Sequence, residues 1–336
     1  MEKVLVTGIS GYIGHHCGAE LLKNNFFVRG SLRNLSKRGE VINGISKVVD
    51  PKNNLEFCEL DLLNDNGWEE AMRNCDYVLH VASPFPMADP KIENDVILPA
   101  VEGTKRAIEF AKKAGVKKIV ITSSLVSMVG GKKINYLNEE SWTDPEKDNI
   151  SVYMKSKVLA EKIAWDMYKA QEEEQNKLEL TVINPGPVYG PTLTGNLNGS
   201  SMGFINQLMI GKMSAVPNVE YVMSDVRDVA EIHVKALKNN KSNGRRLIVT
   251  TKQSFSFMNV AEILHLKGYL DKMPKKAPSL LLKTIGLFNN EVKGMLPFID
   301  AKVTADTSPT ETIFNWKSKS FEEMVIDTAE SIKKVA

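Results

Sequence analysis

The chain has 336 residues, 43% hydrophobic and 25% charged, enough apolar material for a full globular core; disordered, collagen-like and small disulfide-scaffold classes are excluded. Its 43 basic and 41 acidic residues leave a formal charge of +2, too even to serve as a footprint for nucleic acid or an anionic membrane, so neither is expected as a partner. Cys17, Cys58 and Cys75 are odd in number and lack metal-ligand spacing, which points to free thiols in a reducing cytoplasm and to no metal.

Short apolar runs at Lys3–Thr7, Phe27–Gly30, Leu55–Cys58, Tyr77–Val81, Lys118–Thr122 and Leu180–Ile183 alternate with helix-length segments. Val101, Thr104, Ala107, Ile108 and Ala111 keep helical spacing and would lay one apolar stripe on a sheet. Beyond Asn184, Pro185, Pro187 and Pro191 crowd together with five glycines, a density that breaks regular structure. Asp225–Asn239 reads as a helix and Arg246–Thr250 as another buried strand. Pro274, Pro278, Pro297 and Pro309 then interrupt short helices, and Phe321, Met324, Val325, Thr328, Ala329 and Ile332 mark a closing amphipathic one. The pattern predicts an α/β fold, a doubly wound parallel sheet of Rossmann type with a smaller, irregular α/β substrate lobe. Residues 1–185 and 222–255 are assigned to the dinucleotide-binding domain, 186–221 and 256–336 to the substrate-binding lobe. No run approaches the roughly 20 apolar residues of a membrane span, and no signal-peptide pattern precedes the first strand, so a soluble cytoplasmic protein is expected.

Thr7-Gly8-Ile9-Ser10-Gly11-Tyr12-Ile13-Gly14 follows the first strand and opens a helix. Glycines there let backbone amides reach a pyrophosphate, and the helix N-terminus favours its charge; Gly8, Gly11, Tyr12, Ile13 and Gly14 are the expected contacts. The second strand ends in Gly30-Ser31-Leu32-Arg33, without the carboxylate that would take the ribose diol of NAD, while Arg33 and Lys37 suit a 2′-phosphate. NADP(H) is therefore expected in preference to NAD(H). Asp61, after the third strand, suits an adenine amino group or a helix N-cap equally.

Tyr153 and Lys157 are spaced i to i+4 on a predicted helix, so their side chains share a face. An ammonium beside a phenol stabilises the phenolate and brings its proton within reach of exchange with a substrate oxygen. Thr122-Ser123-Ser124 closes the fifth strand at the carboxyl edge, placing Thr122 at the cofactor and Ser124 where it can donate to a carbonyl. The adjacent His15 and His16 lack metal geometry, and His80 reads as a satisfied core residue. Phe85, Met87, Leu125, Tyr189, Phe204 and Met209 are the apolar candidates for a hydrophobic substrate site.

With these motifs in register, the chain resembles the extended short-chain dehydrogenase/reductases, in particular the branch of dihydroflavonol 4-reductase, cinnamoyl-CoA reductase and the fungal NADPH-dependent methylglyoxal and aldehyde reductases. The resemblance covers nearly the whole length. It implies that Arg33 and Lys37 hold the 2′-phosphate, Asp61-Leu62 meets adenine, and the strand end His80-Val81-Ala82-Ser83-Pro84 lines the cofactor through Val81, Ala82 and Ser83. It implies catalysis by Ser124, Tyr153 and Lys157, with Lys157 on the nicotinamide ribose and Pro185 and Val188 near the nicotinamide. Asp225–Ala230 matches a further family signature of mainly structural role. The expected activity is reduction of an aldehyde or ketone, a small-molecule carbonyl substrate, to the alcohol, by a monomer or homodimer. A nucleotide-sugar epimerase or dehydratase, and a non-catalytic NADP-binding regulator, are the alternatives; the first favours an acidic second-strand end and the second usually loses the Tyr or the Lys.

Overall fold

Val4, Leu5 and Val6 of β1 (Lys3–Thr7) have no solvent exposure, a burial that requires helices on both faces of the strand. The computed structural model describes residues 1–85, 90–129, 136–147, 150–171, 177–197, 200–286, 292 and 296–335. Around β1 stand β2 (Phe27–Leu32), β3 (Leu55–Glu59), β4 (Tyr77–His80), β5 (Lys118–Thr122), β6 (Glu179–Pro185) and β7 (Arg245–Val249). They form one parallel sheet in the order β7-β6-β5-β4-β1-β2-β3. The chain runs outward from β1 to β3 and crosses back to β4. The order therefore reverses between β1 and β4, and a crevice opens at the carboxyl ends of these strands.

Helices α1 (Tyr12–Lys23), α2 (Arg38–Ser46), α3 (Trp68–Met72), α4 (Asn94–Lys113), α5 (Val126–Val129), α6 (Val152–Lys169), α7 (Ser200–Met209) and α8 (Val226–Lys238) follow in sequence. Cys17, Leu21, Val41, Ile45, Ile232 and Leu237 of α1, α2 and α8 pack against one face of the sheet. Trp68, Ala107, Ile108, Ala111, Ala164 and Trp165 of α3, α4 and α6 cover the other. The remaining helices are α9 (Phe257–Leu266), α10 (Ser279–Ile285), α11 (Ser308–Phe314) and α12 (Phe321–Val335).

A separate core joins α7, α9 and α12 through Ile205, Leu208, Val260, Leu264, Met324 and Val325. Two-residue ladders stitch the rest of this lobe: Val188–Tyr189 with Ser224–Asp225, Glu220–Tyr221 with Phe255–Ser256, Ala215–Val216 with Lys275–Lys276, and Tyr136–Leu137 with Thr304–Ala305. Phe314 and Trp316, although within the 256–336 stretch, pack into the core beneath α1 and α8. The strand β2 runs two residues further than its apolar pattern, to Leu32, because Ser31 and Leu32 continue the ladder with Cys58 and Glu59 of β3; Ser31 is buried there and its Oγ accepts from the Gly8 N–H at 3.2 Å. Cys17, Cys58 and Cys75 are free thiols. Among the described residues no helix is long and apolar enough to cross a membrane, and no cluster of His, Cys, Asp or Glu is arranged to hold a metal ion.

Candidate active site

The turn between β1 and α1 is held to its shape by what a side chain would strike. Gly8 has φ +68°, and a Cβ on it would come within 2.8 Å of Ala82 Cα; a Cβ on Gly14 would run into the Gly8 carbonyl oxygen. The α1 N-terminus at Gly11 has no side-chain cap, so its first-turn N–H groups face the crevice with the positive end of the helix dipole. A cradle closed to side chains and lined with N–H donors fits a pyrophosphate. Tyr12, which opens α1, donates its phenol to the Gly190 carbonyl at 2.8 Å and so ties the turn to the segment after β6. Ile13 packs against the core of that face.

Thr7 fixes the neighbouring strand end. Its hydroxyl lies 2.9 Å from His80 Nδ1 and accepts from the Val81 and Ala82 N–H groups at 3.1 Å each. Burial, with the nearby Lys157 charge, pushes the His80 imidazole down to about 3, so it is a neutral core residue. Ser83 lies beside it, half-buried. Arg33 and Lys37 stand exposed beyond β2, and among the described residues neither side chain has a partner. Asp61 is exposed and its Oδ1 accepts from Leu63 N at 2.8 Å, closing a local turn; it caps no helix, since α3 begins after Gly67. Leu62 packs against Gly103 of α4. His15 and His16 bond the Gly11 and Pro191 carbonyls.

Ser151 starts α6 by accepting from Met154 N at 3.2 Å, and 18 residues without Gly or Pro carry the helix onward. That phase turns Tyr153, Lys157 and Glu161 toward the sheet. Burial pushes the Tyr153 phenol up to about 12, with the Ser124 hydroxyl pulling the other way. The Lys157 amine is 6.0 Å from the Tyr153 ring centre and donates to the Thr122 carbonyl at 3.4 Å. Burial lowers it to about 8, with Glu161 drawing it back up. The Thr122 hydroxyl pairs with His233 at 2.7 Å, while Ser124 Oγ accepts from Val126 N at 3.3 Å. Pro185 ends β6 and takes Leu125 N on its carbonyl at 2.8 Å; Val188 follows in the ladder with Ser224.

The apolar candidates separate by burial. The exposed ring of Phe85 meets Tyr153 edge-on at 5.0 Å. Tyr189, Phe204 and Met209 belong to the lobe core, and Leu125 lies buried in a second core beside Ser124. Met87 falls outside the described residues.

Sequence reasoning missed Glu161. Fully buried, its carboxylate accepts from Ser123 Oγ at 2.5 Å, Ser127 Oγ at 2.6 Å and Asn184 Nδ2 at 3.0 Å, and pairs with the Arg246 guanidinium at 2.5 Å. Burial would raise its carboxyl, but Arg246 and the two serine hydroxyls hold it below the ordinary range. A glutamate four residues after Lys157, on the inward face of the helix, was the available signal.

Sheet order, glycine turn and the Ser-Tyr-Lys set at adjoining strand ends define a Rossmann-type protein built around a nucleotide cofactor. The chain belongs to the NAD dependent epimerase/dehydratase family, whose model matches residues 4–249, and to its reductase branch. It is 29% identical to the NADPH-dependent methylglyoxal reductase GRE2 of Saccharomyces cerevisiae over 98% of both chains, and 32% identical to cinnamoyl-CoA reductase 1 of Petunia hybrida over 73% of this chain and 72% of that one. The crystal structure of yeast methylglyoxal/isovaleraldehyde reductase Gre2 complexed with NADPH superposes with a TM-score of 0.81 at 26% identity, covering 99% of this chain and 98% of that one.

Proposed function

We propose that this protein is an NADPH-dependent reductase of aldehydes or ketones in a reducing, cytoplasmic setting, with Ser124, Tyr153 and Lys157 as its catalytic residues. The observation that carries the reading is Tyr153 set against Ser124 with a buried lysine one helical turn behind, at the carboxyl edge of the sheet beside the glycine cradle. NADPH supplies a hydride for the carbonyl carbon. Gly8, Gly11, Tyr12, Ile13 and Gly14 would hold its pyrophosphate, Arg33 and Lys37 its 2′-phosphate, Asp61 and Leu62 its adenine, and Val81, Ala82, Ser83, Thr122, Pro185 and Val188 its nicotinamide half.

Ser124 donates to the carbonyl oxygen and fixes its position. Tyr153 delivers the proton: at neutral pH the buried phenol is fully protonated, so it enters the reaction as an acid. Lys157, kept cationic, offsets the charge that develops on the tyrosine oxygen and bonds the ribose hydroxyls. Phe85, packed on the catalytic ring, gives the carbonyl an apolar wall and favours a substrate with a hydrocarbon arm. The GRE2 resemblance supports aliphatic and α-dicarbonyl compounds as the first to try. The test is NADPH consumption against a panel of aliphatic, aromatic and α-dicarbonyl compounds, with NADH in parallel. Carbonyl-dependent oxidation of NADPH at a higher kcat/KM than NADH is expected; tightly held NAD together with nucleotide-sugar turnover would overturn the proposal.

A further inference from the structure

We propose that Glu161 is a positioning residue for proton transfer, anchoring the turn that carries Ser124 and supplying the negative charge that keeps Lys157 an ammonium. The inference deepens the reductase reading and rests on it.

Two geometries converge on this carboxylate. Ser123 and Ser127, on either side of Ser124, both donate to Glu161 Oε2; Asn184 of β6 donates to the same oxygen and, at 3.3 Å, to the Ser124 carbonyl. The backbone that aims Ser124 is thus fastened to one buried anion from both directions. On the other side, Lys157 and Glu161 line a single small cavity with Ser83, Thr104 and Ser123, and they are one helical turn apart.

In such a confined space a fixed anion weighs on the amine far more than it would in water. The groups facing the amine are few. Tyr153 and Glu161 come from its own helix, a neutral His80 from β4 and Ser83 from the turn after it, while α4 contributes Thr104 and the end of β5 the Thr122 carbonyl with Ser123 just beyond. Arg246 acts from behind Glu161. Its guanidinium stacks on Trp142 at 3.7 Å and donates to the Glu139 and Ser141 carbonyls, so the counter-charge is pinned to the far side of the carboxylate. The pair is asymmetric: the carboxylate lines the cavity that Lys157 lines, and the guanidinium does not.

Glu161→Gln removes the anion and leaves the buried Arg246 charge without its counter-ion, a change that can unfold the protein. The decisive variant is Glu161→Gln/Arg246→Met, which removes both charges at similar volume. The pH dependence of kcat/KM is compared with the parent between pH 6 and about 10, together with NADPH affinity by fluorescence and the melting temperature. In the double variant the alkaline limb is expected to move to lower pH by about one unit, with NADPH affinity changed less than about two-fold. A folded double variant whose limb stays where the parent has it overturns the inference, because a purely structural carboxylate lowers turnover evenly at all pH values. Tyr153→Phe, run alongside, separates the two readings. If it remains active the reductase mechanism fails; if it is inactive and the limb does not move, only the role of Glu161 fails.

Discussion

Thr7→Val tests how the glycine cradle is braced. Thr7 is 1% exposed, and its hydroxyl serves His80 and the N–H groups of Val81 and Ala82. Valine keeps the volume and removes all three partners at once. Each polar group left unsatisfied costs about 1 kcal/mol or more, so the substitution is expected to cost about 3 kcal/mol. For a chain of this size that lowers the melting temperature by about 4 °C. Function follows because Ala82 is the residue against which Gly8 packs, with no room for a Cβ between them. Once the β4 end is released, the phosphate turn loses its wall, and NADPH affinity should fall about ten-fold. Calorimetry and a fluorescence titration with NADPH read the two effects. A melting temperature within about 1 °C of the parent, with unchanged affinity, would refute the reasoning that Thr7 holds this strand end.

Two further outcomes are expected. Arg33→Ala removes an exposed, unpartnered guanidinium; kcat/KM with NADPH should drop about 30-fold while that with NADH changes little, measured by steady-state kinetics with both cofactors. Asp228, 3% exposed, has its carboxyl raised to about 7 by burial, aided by the Asp225 charge, against the pull of the Lys319 N–H at 2.8 Å. A carboxyl whose folded pKa is raised favours the native state below its unfolded value and loses that contribution as pH climbs through the folded one. Stability should therefore decline between about pH 4 and pH 7, and Asp228→Asn should flatten the decline, gaining about 4 kcal/mol on the parent between those two pH values. Thermal melts across that range check it, and equal pH slopes in the two proteins would contradict it.

Much of this architecture is written locally. Val4 to Val6 form an uninterrupted apolar run because β1 is covered on both faces, and the glycine turn sits where strand gives way to helix. The Tyr153–Lys157 spacing is likewise a property of one helix. What was not legible depends on partners distant in the chain. Ser31 joins β2 by pairing with Cys58 of β3, and Glu161 meets Arg246 85 residues away. The two-residue ladders of the lobe are too short to impose alternation. Apolar identity alone could not separate Phe85, exposed on the catalytic ring, from Tyr189, Phe204 and Met209, which fill a core, since both roles call for the same side chains.

The most direct test of the proton-transfer account is single-turnover oxidation of bound NADPH by a carbonyl substrate in Tyr153→Phe. The ring and its contact with Phe85 remain, and only the phenol hydroxyl facing Ser124 is lost. NADPH affinity is expected within about two-fold of the parent, with a rate lower by about 1,000-fold. A rate within about ten-fold of the parent, in a variant that binds NADPH normally, would contradict it.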